Sequence, residues 1–427
     1  MSEERVLDVT QAEMTLLVLR TALEEYSASQ VDDLRILAYV EKNQAELDDT
    51  FEGALAEFAK MHPEVPAEQA RELMAGVAAL RESRGEDGDF DSFRGLIGEV
   101  YEFARKTSPD LDGPALSDLM RMSAFKPSSE RMRTSILVNL IAGFEVHIAE
   151  IMRLIIHHDP RPVLNDKTSV RWSQVASAAS LDALRDDLIE DVVDTQLRGE
   201  MSKWLGFFED KFQTKPIVIS KVVLEGNLRR HTVVHGGSRA TREYIARCSD
   251  NGIDCLPQGS YLGVDANYLN RLADELFSLA FEVAVNVAMK VGMNKSSEAG
   301  FVNLGFRMLM SRRFDAVRLV CGRYVDAKFI DQTSANIVRA NYLLAMKRLG
   351  RLDECARLVT DWDVSALERQ YKVAKLIITD QIEEAYVAIK SMLETGELEH
   401  RFWIAWPLFE DVRNYERNLF PGAPQPD

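Results

Sequence analysis

The apolar positions of this chain recur at helical spacing, and no convincing series of strand-like alternation is found. "AEMTLLVLRTALEEYSA" places Leu16, Leu19 and Leu23 on one stripe, and "PAEQARELMAGVAALRES" begins with Pro66 at a first-turn position. A polar loop, "SRGEDGDFDS", interrupts this region, and "SAFKPSSE" (Ser123–Glu130) marks a second break. A long helix is predicted next, because Ile136, Leu137, Leu140, Ile141, Phe144, Ile148, Ile151, Met152 and Ile155 follow the i, i+3/i+4 rule. It should end at "HHDP", where Pro160 stops it. Helical stretches are also predicted over about Leu181 to Phe212, around "NLRRHTVVHGGSR", and from Asp265, a good N-cap residue, through Leu269, Leu272, Leu276, Phe277, Ala280 and Val283. Four long helices closing on one another make a bundle.

"GMNKSSEAG" (Gly292–Gly300) reads as a linker, and beyond it a weak repeat emerges. "LGRLDECARLV" aligns with "TDQIEEAYVAI", Gly350 over Asp380 and Cys355 over Ala385, and "SRRFDAVRLV" is a looser third copy. Paired short helices with small residues at the crossing resemble tetratricopeptide repeats, although the offset (380 − 350 = 30) falls short of the usual ~34. The competing reading is an unspecific helical domain. The pattern predicts an all-α chain in three parts: an N-terminal helical domain over 1–125, a bundle over 126–293 and a helical-repeat domain over 294–427.

A chain of 427 residues exceeds one ordinary core, which agrees with several domains. No window holds 18 uninterrupted apolar residues, so no membrane partner is expected. The opening "MSEERVLDVTQAEM" lacks the apolar run of a signal peptide. Cys248, Cys255, Cys321 and Cys355 show no CxxC spacing and suit reduced thiols in a cytoplasmic protein. The net charge is −17, but residues 1–120 hold 27 acidic and 11 basic side chains, 11 − 27 = −16. From Lys211 to Arg247 eight basic residues face only Glu225 and Glu243, a net of +6. The acidity belongs to one end, and the average hides a basic segment that could meet a polyanion.

That segment contains Arg230, His231 and His235 as R-H-x-x-x-H. On a regular helix the histidines, four apart, share a face, whereas Arg230 and His235, five apart, diverge by about 140°. Gly236-Gly237 follows, where a helix would end. A zinc protease would need H-E-x-x-H, and Thr232 stands where the glutamate base belongs. Two readings stay open. The plain one is a basic helix end that offsets the helix dipole. The other is phosphodiester chemistry without metal or cofactor, in which a histidine moves a proton and an arginine holds the phosphate.

"LRRHTVVHGGSRATREYIARC" with "GIDCLPQGSYLGVDANYLNRLADELFSLAFEV" resembles the HEPN superfamily, whose all-α bundles carry R-x4–6-H, often with Asn, Asp or His after the Arg. "LIAGFEVHIAEIM" is similar to that family's opening helix, and the resemblance covers roughly residues 130–290. It implies a metal-independent endoribonuclease that works as a homodimer, two motifs facing each other across one cleft. By resemblance, Arg230 and His235 are the catalytic pair and His231 the polar position after the arginine. The 2′-OH of RNA would attack the adjacent phosphate and leave a 2′,3′-cyclic phosphate. The family also recurs among toxin and antiphage-defence effectors, where flanking domains regulate or recruit.

Secondary candidates carry a bland reading beside the functional one. Glu145 falls on the stripe Ile141, Glu145, Ile148, Met152, either as a supporting group near the site or as an edge carboxylate reaching solvent. Arg229, Arg239 and Arg242 either track an RNA backbone or form a solvated basic loop. His157 and His158 read as helix C-terminal residues, and Phe207-Phe208 as core. The alternative function is an inactive HEPN-like scaffold or RNA-binding protein, docking a protein partner through its C-terminal helical repeats.

Overall fold

The computed structural model of the chain describes residues 10–48, 50–84, 90–109, 111, 113–122, 128–165, 168–235, 238–293, 295–325 and 331–420. The described residues are all-helical, without a strand. The chain begins with α1 (Gln11–Lys42), α2 (Gln44–Asp48), α3 (Thr50–Met61), α4 (Ala67–Arg84), α5 (Phe90–Thr107) and α6 (Gly113–Met122). There follow α7 (Ser128–His158), α8 (Trp172–Ser177), α9 (Leu181–Leu197), α10 (Met201–Phe212), α11 (Lys221–His235), α12 (Arg242–Asp250) and α13 (Ala266–Val291). The last group is α14 (Lys295–Met310), α15 (Phe314–Gly322), α16 (Gln332–Arg348), α17 (Ala356–Thr360), α18 (Arg369–Ile378), α19 (Ile382–Glu394), α20 (His400–Ala405) and α21 (Glu410–Leu419).

Contacts group the chain into two compact units whose limits fall inside α1, α7 and α13 and between α10 and α11. One unit comprises Ser29–Phe144 and Ile219–Ala273. Within it Leu55 and Phe58 of α3, Leu73, Met74 and Val77 of α4, Val100 and Ala104 of α5, and Leu119 of α6 form one apolar core. Burial of such side chains, at about 1.5–3 kcal/mol each, holds helices whose own propensity would not. At the start of α7, Ser129 donates through its amide and hydroxyl to Asp48, at 3.0 and 2.7 Å. Asp265 caps α13 as expected, its carboxylate accepting from the Tyr268 amide at 2.7 Å.

The other unit comprises Met1–Ala28, Glu145–Val218 and Asp274–Asp427. Here the predicted single helix over 181–212 is two. α9 stops at Leu197, and the Trp204 indole donates to the Leu197 and Gly199 carbonyls, at 3.1 and 2.9 Å. Those orphaned carbonyls thus gain a side-chain partner at the break. The expected linker over Gly292–Gly300 is also different. Gly292 takes φ +105° at the end of α13, and α14 starts at Lys295. Phe207 and Phe208 are both buried, with ring centroids 5.7 Å apart.

The three aligned C-terminal segments share one backbone device. Arg312, Gly350 and Asp380 each adopt a left-handed conformation, with φ of 56°, 68° and 60°. In each, the next amide closes a turn onto the preceding helix: Arg313 to Met308, Arg351 to Met346, Gln381 to Leu376. These are 6→1 helix-ending bonds of the Schellman type. In the first copy Arg313 forms a buried ion pair with Asp274 at 2.8 Å. Burial raises the Asp274 carboxyl above its ordinary value while the Arg313 guanidinium opposes the rise.

Among the described residues α7 is the one helix long and apolar enough to cross a membrane, but 56% of its apolar window is buried within the protein. All nine residues of its predicted stripe are buried, as in a core helix. His147, on the same helix, is 2% exposed and stacks on Tyr26, with centroids 4.8 Å apart and planes 10° apart. Neither ring nitrogen has a hydrogen-bond partner, and burial lowers its pKa to about 3. Between that value and the unfolded value near 6.5 the unfolded chain binds the extra proton, so stability falls as pH drops through this window. Going from pH 7 to pH 5 should cost about 2 kcal/mol through this group. Urea unfolding at the two pH values should show that difference shrinking by about as much in His147→Leu.

Candidate active site

The motif lies on one regular helix. α11 runs unbroken from Lys221 to His235, so Arg230 and His235 do not straddle a helix end, and Gly236-Gly237 lie outside the described residues. The rotation of α11 is set by a buried carboxylate. Glu225, 8% exposed, accepts hydrogen bonds from the hydroxyls of Tyr244 on α12 and Tyr268 on α13, the latter at 2.5 Å. Arg229, one turn on, donates to the same carboxylate at 2.8 Å and to the Gly263 carbonyl at 2.5 Å. Its guanidinium also lies over the Tyr268 ring, 4.4 Å from the centroid. Gly226 allows the close approach to α13, because a Cβ there would meet Leu272 Cδ1 at 2.7 Å.

The electrostatics of this cluster follow from its burial. Burial pushes both tyrosine hydroxyls well above their ordinary pKa, and Glu225 adds to the rise, so both remain protonated donors. Burial works against the Arg229 charge, but Tyr268 and Glu225 outweigh it and hold its pKa above the ordinary value.

With Arg229 turned toward α13, the opposite face of α11 carries the histidines. His231 and His235 are exposed, with ring centroids 4.9 Å apart and planes inclined at 51°. They open onto a pocket of about 120 Å³ between α11 and α12, lined also by Leu228, Thr232, Thr241, Glu243, Tyr244 and Arg247. Thr232 is buried and donates its hydroxyl to the Leu228 carbonyl at 3.0 Å, so it cannot stand in for a protease base. Among the described residues no three His, Cys, Asp or Glu side chains are grouped to hold a metal ion.

The other predicted residues are placed differently. Arg230 is half-buried and does not line the pocket. Arg239 donates to the Gly259 carbonyl at 2.9 Å and pairs its backbone with Tyr261, so it fastens a loop. Arg242 is exposed at the first position of α12. Glu145 is half-buried and belongs to the other compact unit. Of the three arginines suggested for RNA, two are therefore engaged with the protein itself.

Sequence reasoning missed Tyr244, Tyr268 and Arg247. The i, i+4 spacing of Glu225 and Arg229 was a visible signal for a pair, but no spacing announces two tyrosines from other helices. A second depression of about 660 Å³ lies beside this network, lined by Lys221, Glu225, Arg229, Tyr268 and Arg271 among others. Comparison of the chain with protein-family models, curated proteins and solved structures finds no match.

Removing one partner of a buried charged pair strands the other. Glu225→Ala should therefore cost about 3–5 kcal/mol of stability, and Arg229→Ala a comparable amount. In urea unfolding, the double variant should cost clearly less than the sum, because the same contacts are lost once. Additive losses would show that the two side chains act independently.

Proposed function

We propose that this chain is a metal-independent endoribonuclease of the HEPN type, cleaving RNA by attack of a ribose 2′-OH on the adjacent phosphate. The observation that carries the reading is the pair of exposed imidazoles, His231 and His235, side by side at a pocket in the chain's basic segment. Imidazole exchanges a proton near neutral pH, which is what transesterification of RNA requires twice. His235 accepts the proton of the attacking 2′-OH as the 2′-O–P bond forms. His231 gives a proton to the 5′-oxygen as the P–O5′ bond breaks. The products are a 2′,3′-cyclic phosphate and a 5′-hydroxyl.

Arg230 has the chemistry to stabilise charge on the phosphorane, but its direction from the helix axis differs from that of His235 by about 140°. A second copy of the chain, donating its Arg230 to the histidines of the first, resolves that divergence. Homodimerisation through this bundle is thus part of the proposal, and the exposed Arg242 is the remaining candidate for backbone contact.

Purified protein incubated with tRNA and mRNA in EDTA should cut RNA and leave cyclic-phosphate ends. His235→Ala and Arg230→Ala should each lower the rate by about 10²–10⁴-fold. Sedimentation of the active protein should give a dimer. Absence of cleavage by the wild type, or cleavage that survives His235→Ala, would remove the basis for this reading.

A further inference from the structure

The same pocket holds a cation that the motif does not include. Arg247 lies on α12, one turn beyond Glu243, and both line the cavity onto which His231 and His235 open. Its guanidinium pairs with Glu243 at 3.1 Å, and both side chains are substantially exposed, 45% and 63%. An ion pair so wet contributes little, and a better anion can displace it. The pocket also receives Thr241, the N-cap of α12, whose hydroxyl accepts from the Tyr244 amide at 3.1 Å. The first turn of that helix therefore adds the partial positive end of its dipole to the same wall. Tyr244 itself is immobilised by its hydrogen bond to Glu225, so α12 cannot easily withdraw from α11.

From this arrangement we infer that His231, His235 and Arg247 form an oxyanion subsite within one chain that takes a phosphate group, with Glu243 paired to the arginine until the phosphate arrives. Neutral imidazole and guanidinium both present N–H donors, and a phosphate oxygen accepts from each. Among the described residues Glu243 is the one carboxylate lining the pocket, and it is paired with Arg247, so an incoming anion competes with it there. The role of this subsite in RNA cleavage, holding the scissile or a neighbouring phosphate beside the imidazoles, rests on the reading given above. Phosphate binding itself does not.

The test uses the full chain, inorganic phosphate as the probe and no RNA. The imidazole NMR signals of His231 and His235, assigned with His231→Gln and His235→Gln, are followed as phosphate is added in a low-salt buffer. Both signals should move and saturate together. Arg247→Ala should raise the phosphate Kd about tenfold, the loss expected for one charge-assisted hydrogen bond. Glu243→Gln, at an exposed position, should lower the Kd. Arg271→Ala removes the same charge from α13, outside this pocket, and should leave the Kd unchanged. An unchanged Kd in Arg247→Ala, weaker binding in Glu243→Gln, or equal losses in the Arg247 and Arg271 variants would each overturn the subsite. Phosphate binding that behaves as expected in a protein without RNA cleavage would leave the subsite standing and remove the nuclease reading. Cleavage without the Arg247 effect would do the reverse.

Discussion

The geometry around the histidines depends on one buried carboxylate. Glu225 accepts from α12 through Tyr244 and from α13 through Tyr268, while Arg229 of its own helix closes the charge. A carboxylate withdrawn from water is costly unless its oxygens are filled, and here three donors fill them. Because two of the donors come from other helices, α12 and α13, the cluster fixes how α11 is rotated. At 100° per residue, His231 lies 200° from Arg229 and His235 about 240°. With Arg229 facing α13, the two imidazoles lie on the other side of α11, where Thr241, Glu243, Tyr244 and Arg247 line their pocket. The histidine pocket is thus a consequence of the network behind the helix, as preorganised sites require.

The sequence was informative where one local rule decides the structure. The stripe on α7 became a buried face, and Asp265 became a cap, because spacing and side-chain length suffice for each. The shared turn of the C-terminal segments was legible as an alignment of Gly350 with Asp380, two residue types that tolerate a left-handed backbone. It was less legible at Arg312, which adopts the same conformation without the usual residue type. Where nonlocal contacts decide, the pattern misled. Nothing in the period of residues 181–212 announces that Trp204 will cap the end of α9. Basic residues pose the same difficulty, since Arg229 and Arg239 look like a polyanion-binding surface in sequence yet spend their donors on Glu225, Gly263 and Gly259.

The spacing of the motif has a structural meaning that a helical wheel alone leaves ambiguous. Arg230 and His235 could have converged had α11 ended between them, with the chain turning back. α11 instead persists to His235, and the divergence of about 140° is retained. The cation that shares the histidines' cavity is Arg247, from the next helix. In the proposed phosphodiester site, positive charge would come from two sources, Arg247 of the same chain and Arg230 of the proposed second copy. This division separates holding the phosphate from stabilising the transition state, and only the second contribution accelerates the chemical step.

A net charge of −17 would by itself argue against an RNA partner, and the weakness of that argument is one of range. At physiological ionic strength the Debye length is about 8 Å, so an approaching phosphate responds to the side chains it nearly touches and little to the sum. At the pocket mouth, among the described residues, those are His231, His235, Arg247 and one carboxylate, Glu243. The carboxylate does more than subtract a charge. Held by Arg247 in the absence of a ligand, it occupies the position of an anion and excludes weaker competitors, so binding becomes an exchange of one oxyanion for another. A phosphate gains over a carboxylate by its greater charge and its extra acceptor oxygens, and that difference sets which anions the pocket can retain.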